Sequence, residues 1–222
     1  MHGFLFNEKI KAFTLAEVLV SLSIIGVIAA LTIPVMINNA EKAAYAEGCK
    51  KAFVIFSTAL DMAKTDGDIN SWTFTDEATV TNWNKIKKYL SITKECIGTS
   101  GCWSPNVKAL NGGAATNFVA NGYGSPTISF KLADGMNGAF DIHGESFNVT
   151  RPANLGSSLL FVADVNGDRG PNKLGYDIFI YVYDGKDLVP AGDDAGGIGD
   201  CKKDGEGREC AARVLREGKI NY

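Results

Sequence analysis

The chain has 222 residues, a formal net charge of −3 and 45% apolar residues. This length accommodates one globular domain with an appendage, and the apolar fraction is ordinary for a folded protein. The negative net charge argues against a protein that coats nucleic acid, because such a protein needs a basic face to displace the counterions of the phosphates. A local basic patch remains compatible with this charge.

The longest segment without a charged residue runs from Val18 to Ala40 and contains 23 residues. A helix of that length reaches about 34 Å, at about 1.5 Å per residue, and the hydrocarbon core of a bilayer is about 30 Å thick. No other segment combines this length with such an apolar composition. The sequence therefore predicts one membrane-competent helix, close to the N-terminus.

Three interpretations of this helix compete. It could be a secretory signal that is cut near Ala30, where small residues follow the apolar run. It could also be an uncleaved anchor for a domain of any kind. The third possibility is a cut that precedes the apolar run, between Ala12 and Phe13, and the residues on either side of that bond favour it.

Glu17 is the residue that distinguishes these interpretations. It lies just inside the apolar segment, where a carboxylate costs up to about 2.5–3.5 kcal/mol on insertion scales. A simple anchor gains nothing from this charge. A cut between Ala12 and Phe13 would create an α-ammonium, and in a bundle of helices Glu17 of one copy could pair with the ammonium of its neighbour. Such a pair sets the register between subunits.

The segment K-x-F-T-L-x-E-x-L, followed by an apolar helix, resembles the prepilin cleavage and methylation signature of type IV pilins and type II secretion pseudopilins. The resemblance implies cleavage after Ala12, N-methylation of Phe13 and a role for Glu17 in assembly. It also implies the partners: prepilin peptidase, an inner-membrane assembly platform, membrane lipid and other pilin subunits. Nucleic acid is not an expected partner. One departure is Ala12, because the family usually has Gly before the cut.

The same resemblance implies the domain organisation and the location. Residues 1–12 would be a leader that is removed, residues 13–40 a transmembrane and filament-core helix, and residues 41–222 an α+β head domain outside the cytoplasm. The protein would be a single-pass protein of the inner membrane before it enters a periplasmic or cell-surface filament.

The predicted head begins with a continuation of the helix. Apolar residues between positions 49 and 63 recur at steps of three and four, the period of a buried helix face. Asp66 and Gly67 predict its end. A second helix is expected at about 77–90, and a last short helix at 209–216. Short β-rich runs predict strands at 127–132, 138–142, 158–163 and 177–183. The pilin resemblance implies that these strands form an antiparallel sheet against the long helix.

A candidate metal site follows the third of these strands. Asp164, Asn166 and Asp168 alternate along the chain, and Asp177 comes further on. Alternate oxygen-bearing side chains in a tight loop suit a hard cation such as calcium. Some major pseudopilins hold calcium in a loop between late strands. The segment is not an EF-hand, because Arg169 occupies the position that needs Gly, and a turn without any ion is the alternative.

The five cysteines predict disulfides if the head lies outside the cytoplasm. Any one of the five cysteines could be unpaired, and the other four can pair in three ways. Fifteen arrangements of two disulfides are therefore possible. Local pairing would join Cys96 with Cys102 and Cys201 with Cys210, and the second pair resembles the C-terminal disulfide loop of many pilins. Cys49 lies on the helix stripe and is interpreted as a buried thiol.

Motifs for nucleophilic, metallopeptidase or nucleotide-dependent catalysis are absent, so an enzyme is not expected. The main hypothesis is a structural filament subunit. The alternative is a minor pilin that acts as an adhesin or a DNA-uptake module. Its weak support is the cluster of Lys85, Lys87 and Lys88 beside Trp83 and Tyr89, which is more often a solvated helix face.

Overall fold

A computed structural model of the chain describes residues 13–71, 79–104, 106–115, 128–143, 158–183, 185–192 and 200–222. The chain divides into two compact units, Met1–Glu41 and Lys42–Tyr222. The leader expected at residues 1–12, and with it Ala12, lies outside the described residues.

The first helix, α1, extends over Leu15–Thr65 and is 51 residues long. Within the first unit its apolar side chains are exposed to their surroundings, including Ile24 and Leu31, and none of its most apolar window is buried. Length and composition therefore make this segment able to cross a membrane. The described residues include one such helix.

In the second unit, α1 has a buried face and a solvated one. The buried residues are Ala46, Cys49, Ala52, Phe56, Ala59, Leu60 and Ala63. Apart from the adjacent pair Ala59 and Leu60, they recur at steps of three and four, which confirms the helical stripe that the sequence predicts. The helix ends at Thr65, where Gly67 adopts a positive φ of 76°.

The described strands form one antiparallel sheet in which each strand pairs with the next along the chain. They are β1 (Ile92–Ile97), β2 (Ile128–Leu132), β3 (Asn137–His143), β4 (Ser158–Asp164), β5 (Ile178–Tyr183) and β6 (Leu188–Pro190). Two helices accompany the sheet, α2 (Thr79–Ile86) and α3 (Ala211–Glu217). The long helix and this sheet make an α+β, pilin-like architecture, which confirms the predicted fold class.

The core lies between α1 and the sheet. Phe56 stacks on Phe161 of β4, with ring centroids 4.9 Å apart, and Trp83 of α2 packs on Phe130 of β2 at 4.6 Å. Side chains alternate across β5, so that Phe179, Tyr181 and Tyr183 join this core while Ile178, Ile180 and Val182 are buried on the opposite face. The sheet is thus buried on both faces at β5, which explains why this strand is hydrophobic at every position.

Two strands were not predicted. The sequence of β1 contains Lys94 and Glu95, and its side chains are mostly exposed, because it forms an edge of the sheet. The strand β6 has three residues and ends at Pro190, which fits an edge strand because proline cannot donate a ladder hydrogen bond. An edge strand needs neither alternation nor a long apolar run, so neither signal was present.

Candidate functional site

The N-terminal motif forms the first turn of α1. The backbone nitrogen and the hydroxyl of Thr14 donate hydrogen bonds of 2.8 and 2.9 Å to the Glu17 carboxylate, and the Glu17 backbone nitrogen donates one of 3.2 Å to the Thr14 hydroxyl. The Thr14 carbonyl accepts the first helical bond, from Val18. This reciprocal arrangement is a capping box, in which Thr14 is the N-cap.

The capping box has a direct consequence for the expected assembly carboxylate. Glu17 is held at the start of its own helix, and Phe13, the residue expected to carry the new amine, directly precedes the cap and is 84% exposed. Sequence reasoning assigned Glu17 a role but missed Thr14, although the pattern T-x-x-E is itself a recognised helix-start signal. The carboxylate is therefore positioned before any neighbour is present.

The loop that joins β4 to β5 brings two aspartates into the interior. Asp164 and Asp177 are both fully buried. Burial raises the pKa of Asp164 to about 8, and repulsion by Asp177 contributes to this rise. Burial also raises the pKa of Asp177, although backbone hydrogen bonds from Asn172 and Lys173 oppose that shift. Two carboxyl groups so close together in a buried site retain a proton or require a cation.

Asn166 connects the two aspartates. Its backbone nitrogen donates to Asp164 Oδ1 at 3.3 Å, and its side-chain Nδ2 donates to Asp177 Oδ2 at 3.2 Å. The backbone nitrogen of Asn172 donates to the same Asp177 oxygen at 2.8 Å. Asn172 itself has a φ of 54°, which asparagine tolerates better than most residues. The loop thus turns back on itself around Asp177.

Three buried side-chain oxygens of this loop have no hydrogen-bond donor among the described residues: Asp164 Oδ2, Asn166 Oδ1 and Asn172 Oδ1. Unsatisfied buried acceptors are unusual in folded proteins and call for an explanation such as an ion or a water molecule. No group of three His, Cys, Asp or Glu side chains in the described ranges could hold a metal. Calcium, however, is also coordinated by amide and backbone oxygens. Two carboxylates with two amide oxygens are therefore ligands of the kind that it binds.

Asp168 does not join this cluster. Its side chain is 70% exposed, and its carboxylate accepts hydrogen bonds from Lys131 at 2.5 Å and Asn137 at 3.1 Å. The hydrogen bond from Lys131 is the main reason why the pKa of Asp168 is lowered. Gly167, with a φ of 68°, turns the chain so that position 168 faces β2 and β3. Three of the four candidate ligands, Asp164, Asn166 and Asp177, therefore come together, and Asp168 lies apart from them.

The cysteines form the two local pairs. Cys96 is bonded to Cys102 and Cys201 to Cys210. The second pair is buried beside Leu110, and Cys210 directly precedes α3. Cys49 is unpaired and fully buried, and burial raises the pKa of its thiol to about 12. The interpretation of Cys49 as a buried thiol is thus confirmed.

The basic and aromatic cluster near α2 makes contacts within the fold. Trp83 is fully buried, and its indole nitrogen donates to the Glu95 carboxylate. Lys87 pairs with the same carboxylate at 3.1 Å, and Lys88 pairs with Asp68 at 2.8 Å. The Tyr89 hydroxyl donates to Asp68 at 3.0 Å. Both aromatic residues and two of the lysines therefore have partners within the fold.

Comparison with known proteins gives one result, at the N-terminus. Residues 9–33 match the model of the prokaryotic N-terminal methylation motif. No curated protein and no solved structure matches the chain. The matched residues include Phe13, Thr14 and Glu17, which form the capped start of α1. The chain therefore carries the signature of type IV pilins and pseudopilins, at the head of a long helix that packs on an antiparallel sheet.

Proposed function

We propose that this protein is a structural subunit of a type IV pilus-like or type II secretion pseudopilus filament. Prepilin peptidase would remove residues 1–12, and the new N-terminus at Phe13 would be methylated. The match of residues 9–33 to the methylation motif carries this proposal. The apolar side chains of the first unit support it, because they are exposed and need either lipid or neighbouring helices as a cover.

In the proposed filament, residues 13–40 form the core and residues 41–222 the head. The head boundary agrees with the division of the structure, whose second compact unit begins at Lys42. Glu17 of one subunit would pair with the Phe13 amine of another, so that neither charge remains unmatched in an apolar surrounding. The partners would be other pilin subunits, prepilin peptidase, the assembly platform and lipid of the inner membrane.

The first experiment is mass spectrometry of the mature N-terminus, on protein from membranes or sheared filaments of the native host. A chain that begins at Phe13 and is heavier by one methyl group is expected. A chain that begins at Leu31, or still at Met1, would overturn the proposal, because Glu17 would then have no neighbouring amine.

The second experiment separates processing from assembly. We expect Glu17→Ala to be cleaved and methylated but to be lost from sheared filaments. Glu47→Ala is a matched control, since Glu47 lies on an exposed face of the same helix and pairs only locally with Lys50 in the described structure. Normal incorporation of Glu17→Ala would contradict the pairing. We do not extend the proposal to DNA uptake, because Trp83 is buried and Lys87 and Lys88 have acidic partners.

We also propose that the loop between β4 and β5 binds a calcium ion. The three buried oxygens without a donor in the described structure support this proposal, together with the two buried aspartates beside them. Asp164, Asn166, Asn172 and Asp177 would hold the ion, and its charge would balance the two carboxylates. Asp168 is not included, because its side chain is 70% exposed and forms a salt bridge with Lys131.

Calcium addition to the chelator-treated, full-length chain tests this site. We expect calcium to raise the melting temperature of the wild type and to have no such effect on Asp164→Asn or Asp177→Asn. Asp168→Asn is the matched control and should respond like the wild type. An unchanged melting temperature of the wild type at millimolar calcium, or an equal response of Asp164→Asn, would overturn the site.

A further inference from the structure

The side chain of Asn166 contacts α1 as well as the buried aspartates. Its Nδ2 lies 3.2 Å from the Tyr45 hydroxyl, 2.9 Å from the Gly170 carbonyl and 3.2 Å from Asp177 Oδ2. An amide nitrogen has two hydrogens, so these three acceptors compete for them. One amide group thus connects the aspartate cluster to the helix.

Two further contacts join the same loop to the same part of α1. The Tyr45 ring packs edge-on against Tyr176, with centroids 5.4 Å apart. Val165, directly after Asp164, lies against Gly48 so closely that only a glycine fits there. Tyr45 and Gly48 are three residues apart and lie on one face of the helix. The beginning and the end of the loop therefore both contact the same turn of α1.

We propose that this loop is a cation-dependent latch for the helix, in which an ion held beside Asp164 and Asp177 orders the Asn166 amide and the amide holds the Tyr45 hydroxyl. The latch rests on the calcium site proposed above. Asn166 Oδ1 has no donor among the described residues, so a bound cation would be the partner that orients the amide. An oriented amide presents its Nδ2 hydrogens to Tyr45 and Gly170.

The position of Tyr45 along α1 indicates what such a latch would do. Tyr45 lies in the first turn of α1 that belongs to the compact unit Lys42–Tyr222. The buried residues of α1 begin at Ala46, so this turn is the first part of the helix that packs on the domain. A side chain that grips this turn would decide how firmly the helix is held on its own domain. Loss of the cation would then loosen the helix where it enters the domain, without unfolding the sheet.

Thermodynamic reciprocity provides the test. If the cation stabilises the contact with Tyr45, then the contact must strengthen cation binding by the same factor. Tyr45→Phe keeps the ring that packs on Tyr176 and removes only the hydroxyl. Tyr181→Phe is the matched control, because its hydroxyl also links the sheet to α1, donating to the Cys49 carbonyl at 2.8 Å, but does not touch Asn166.

We would titrate calcium chloride into the chelator-treated, full-length chain in detergent and measure the dissociation constant by calorimetry. Tyr45→Phe should bind calcium about threefold to tenfold more weakly, the change expected when one neutral hydrogen bond is lost. Tyr181→Phe should bind calcium like the wild type. Hydrogen exchange of the amides at 42–50 should slow on calcium addition in the wild type, and this slowing should be lost in Tyr45→Phe.

The outcomes separate the latch from the calcium site. Calcium binding in the wild type with an unchanged dissociation constant in Tyr45→Phe would overturn the latch and leave the site intact. Absence of calcium binding in the wild type would overturn both. If Tyr45→Phe does not fold, the exchange rates of the wild type decide, and equal rates at 42–50 with and without bound calcium would overturn the latch.

Discussion

Gly48 of α1 packs on Val165 of the loop between β4 and β5 at a distance that excludes a side chain on the glycine. A Cβ atom at position 48 would lie 2.7 Å from the Val165 Cβ and 2.9 Å from its Cγ2. Atoms of this kind do not approach so closely without displacement of the backbone. The helix and the loop are therefore in direct contact at this point, with no room for a side chain on residue 48.

This contact predicts the effect of Gly48→Ala. Alanine favours a helix over glycine by about 1 kcal/mol, but overpacking typically costs about 1–3 kcal/mol, so we expect a net loss of unfolding free energy. Gly26→Ala is the control, because a Cβ atom at position 26 would have no heavy atom within 4 Å. Urea unfolding of the full-length chain in detergent measures both. Equal midpoints for Gly48→Ala and Gly26→Ala would show that the contact is not tight.

The buried aspartates predict how stability depends on pH. The pKa of Asp164 is about 8 in the folded chain, against an ordinary value of 3.8. Between these values the folded chain retains a proton that the unfolded chain has lost, so stability falls as the pH rises. Without calcium, the wild type should lose unfolding free energy between about pH 4 and pH 8 relative to Asp164→Asn.

Thermal melting at several pH values, in the presence of a chelator, checks this dependence. Asp168→Asn is the control that should keep the fall, because the pKa of Asp168 is lowered rather than raised. Calcium should reduce the fall, since the ion replaces the proton as the neutralising charge. A wild type and an Asp164→Asn variant with parallel pH profiles would contradict the burial argument.

The thiol of Cys49 should be unreactive in the folded protein. Burial raises its pKa to about 12, so the thiolate, which is the nucleophile, is scarce at neutral pH. The Tyr181 hydroxyl also donates a hydrogen bond of 3.4 Å to the Cys49 sulfur. We expect iodoacetamide at pH 8 to modify no cysteine of the native protein and one cysteine after denaturation without reductant, as mass spectrometry can show. Rapid modification of the native protein would mean that the helix opens at this turn.

The disulfide between Cys201 and Cys210 should stabilise the C-terminal segment. It closes a short loop with a sequence separation of 9, for which loop entropy predicts about 2–3 kcal/mol. Both sulfurs are buried beside Leu110, and Cys210 directly precedes α3. Replacement of both cysteines by Ala should lower the unfolding free energy by about that amount. A loss below about 0.5 kcal/mol in urea unfolding would show that packing alone holds this segment.

Asp200 also stabilises the C-terminal segment, through hydrogen bonds that do not depend on the disulfide. Its carboxylate accepts hydrogen bonds from the backbone nitrogens of Arg208 and Glu209, at 2.9 and 3.0 Å, and so spans the disulfide loop. We therefore expect the loop to keep part of its structure when the bridge is absent. In the double Ala variant, hydrogen exchange should increase mainly at 200–210 and leave β4 and β5 protected.

Local patterns determined much of this protein. The apolar run after Glu17 and the stripe from Cys49 to Ala63 depend only on residues near one another in the chain, and both predictions were correct. The same is true of the strands at 128–132 and 178–183, whose β-branched and aromatic residues are adjacent. The N-terminal methylation motif consists of residues close together in the chain, so the sequence alone was enough to identify it.

Only the tertiary structure decided which side chains meet. Asp164 and Asp177 converge because the loop between β4 and β5 reverses around Asn166, and Asp168 is drawn away by Lys131 on β2. The hydrogen bond between Asn166 and Tyr45 depends on how that loop packs on the helix, which lies more than a hundred residues earlier in the chain. Spacing along a sequence reports which residues share a face, whereas contacts across such separations depend on the packing of the whole core.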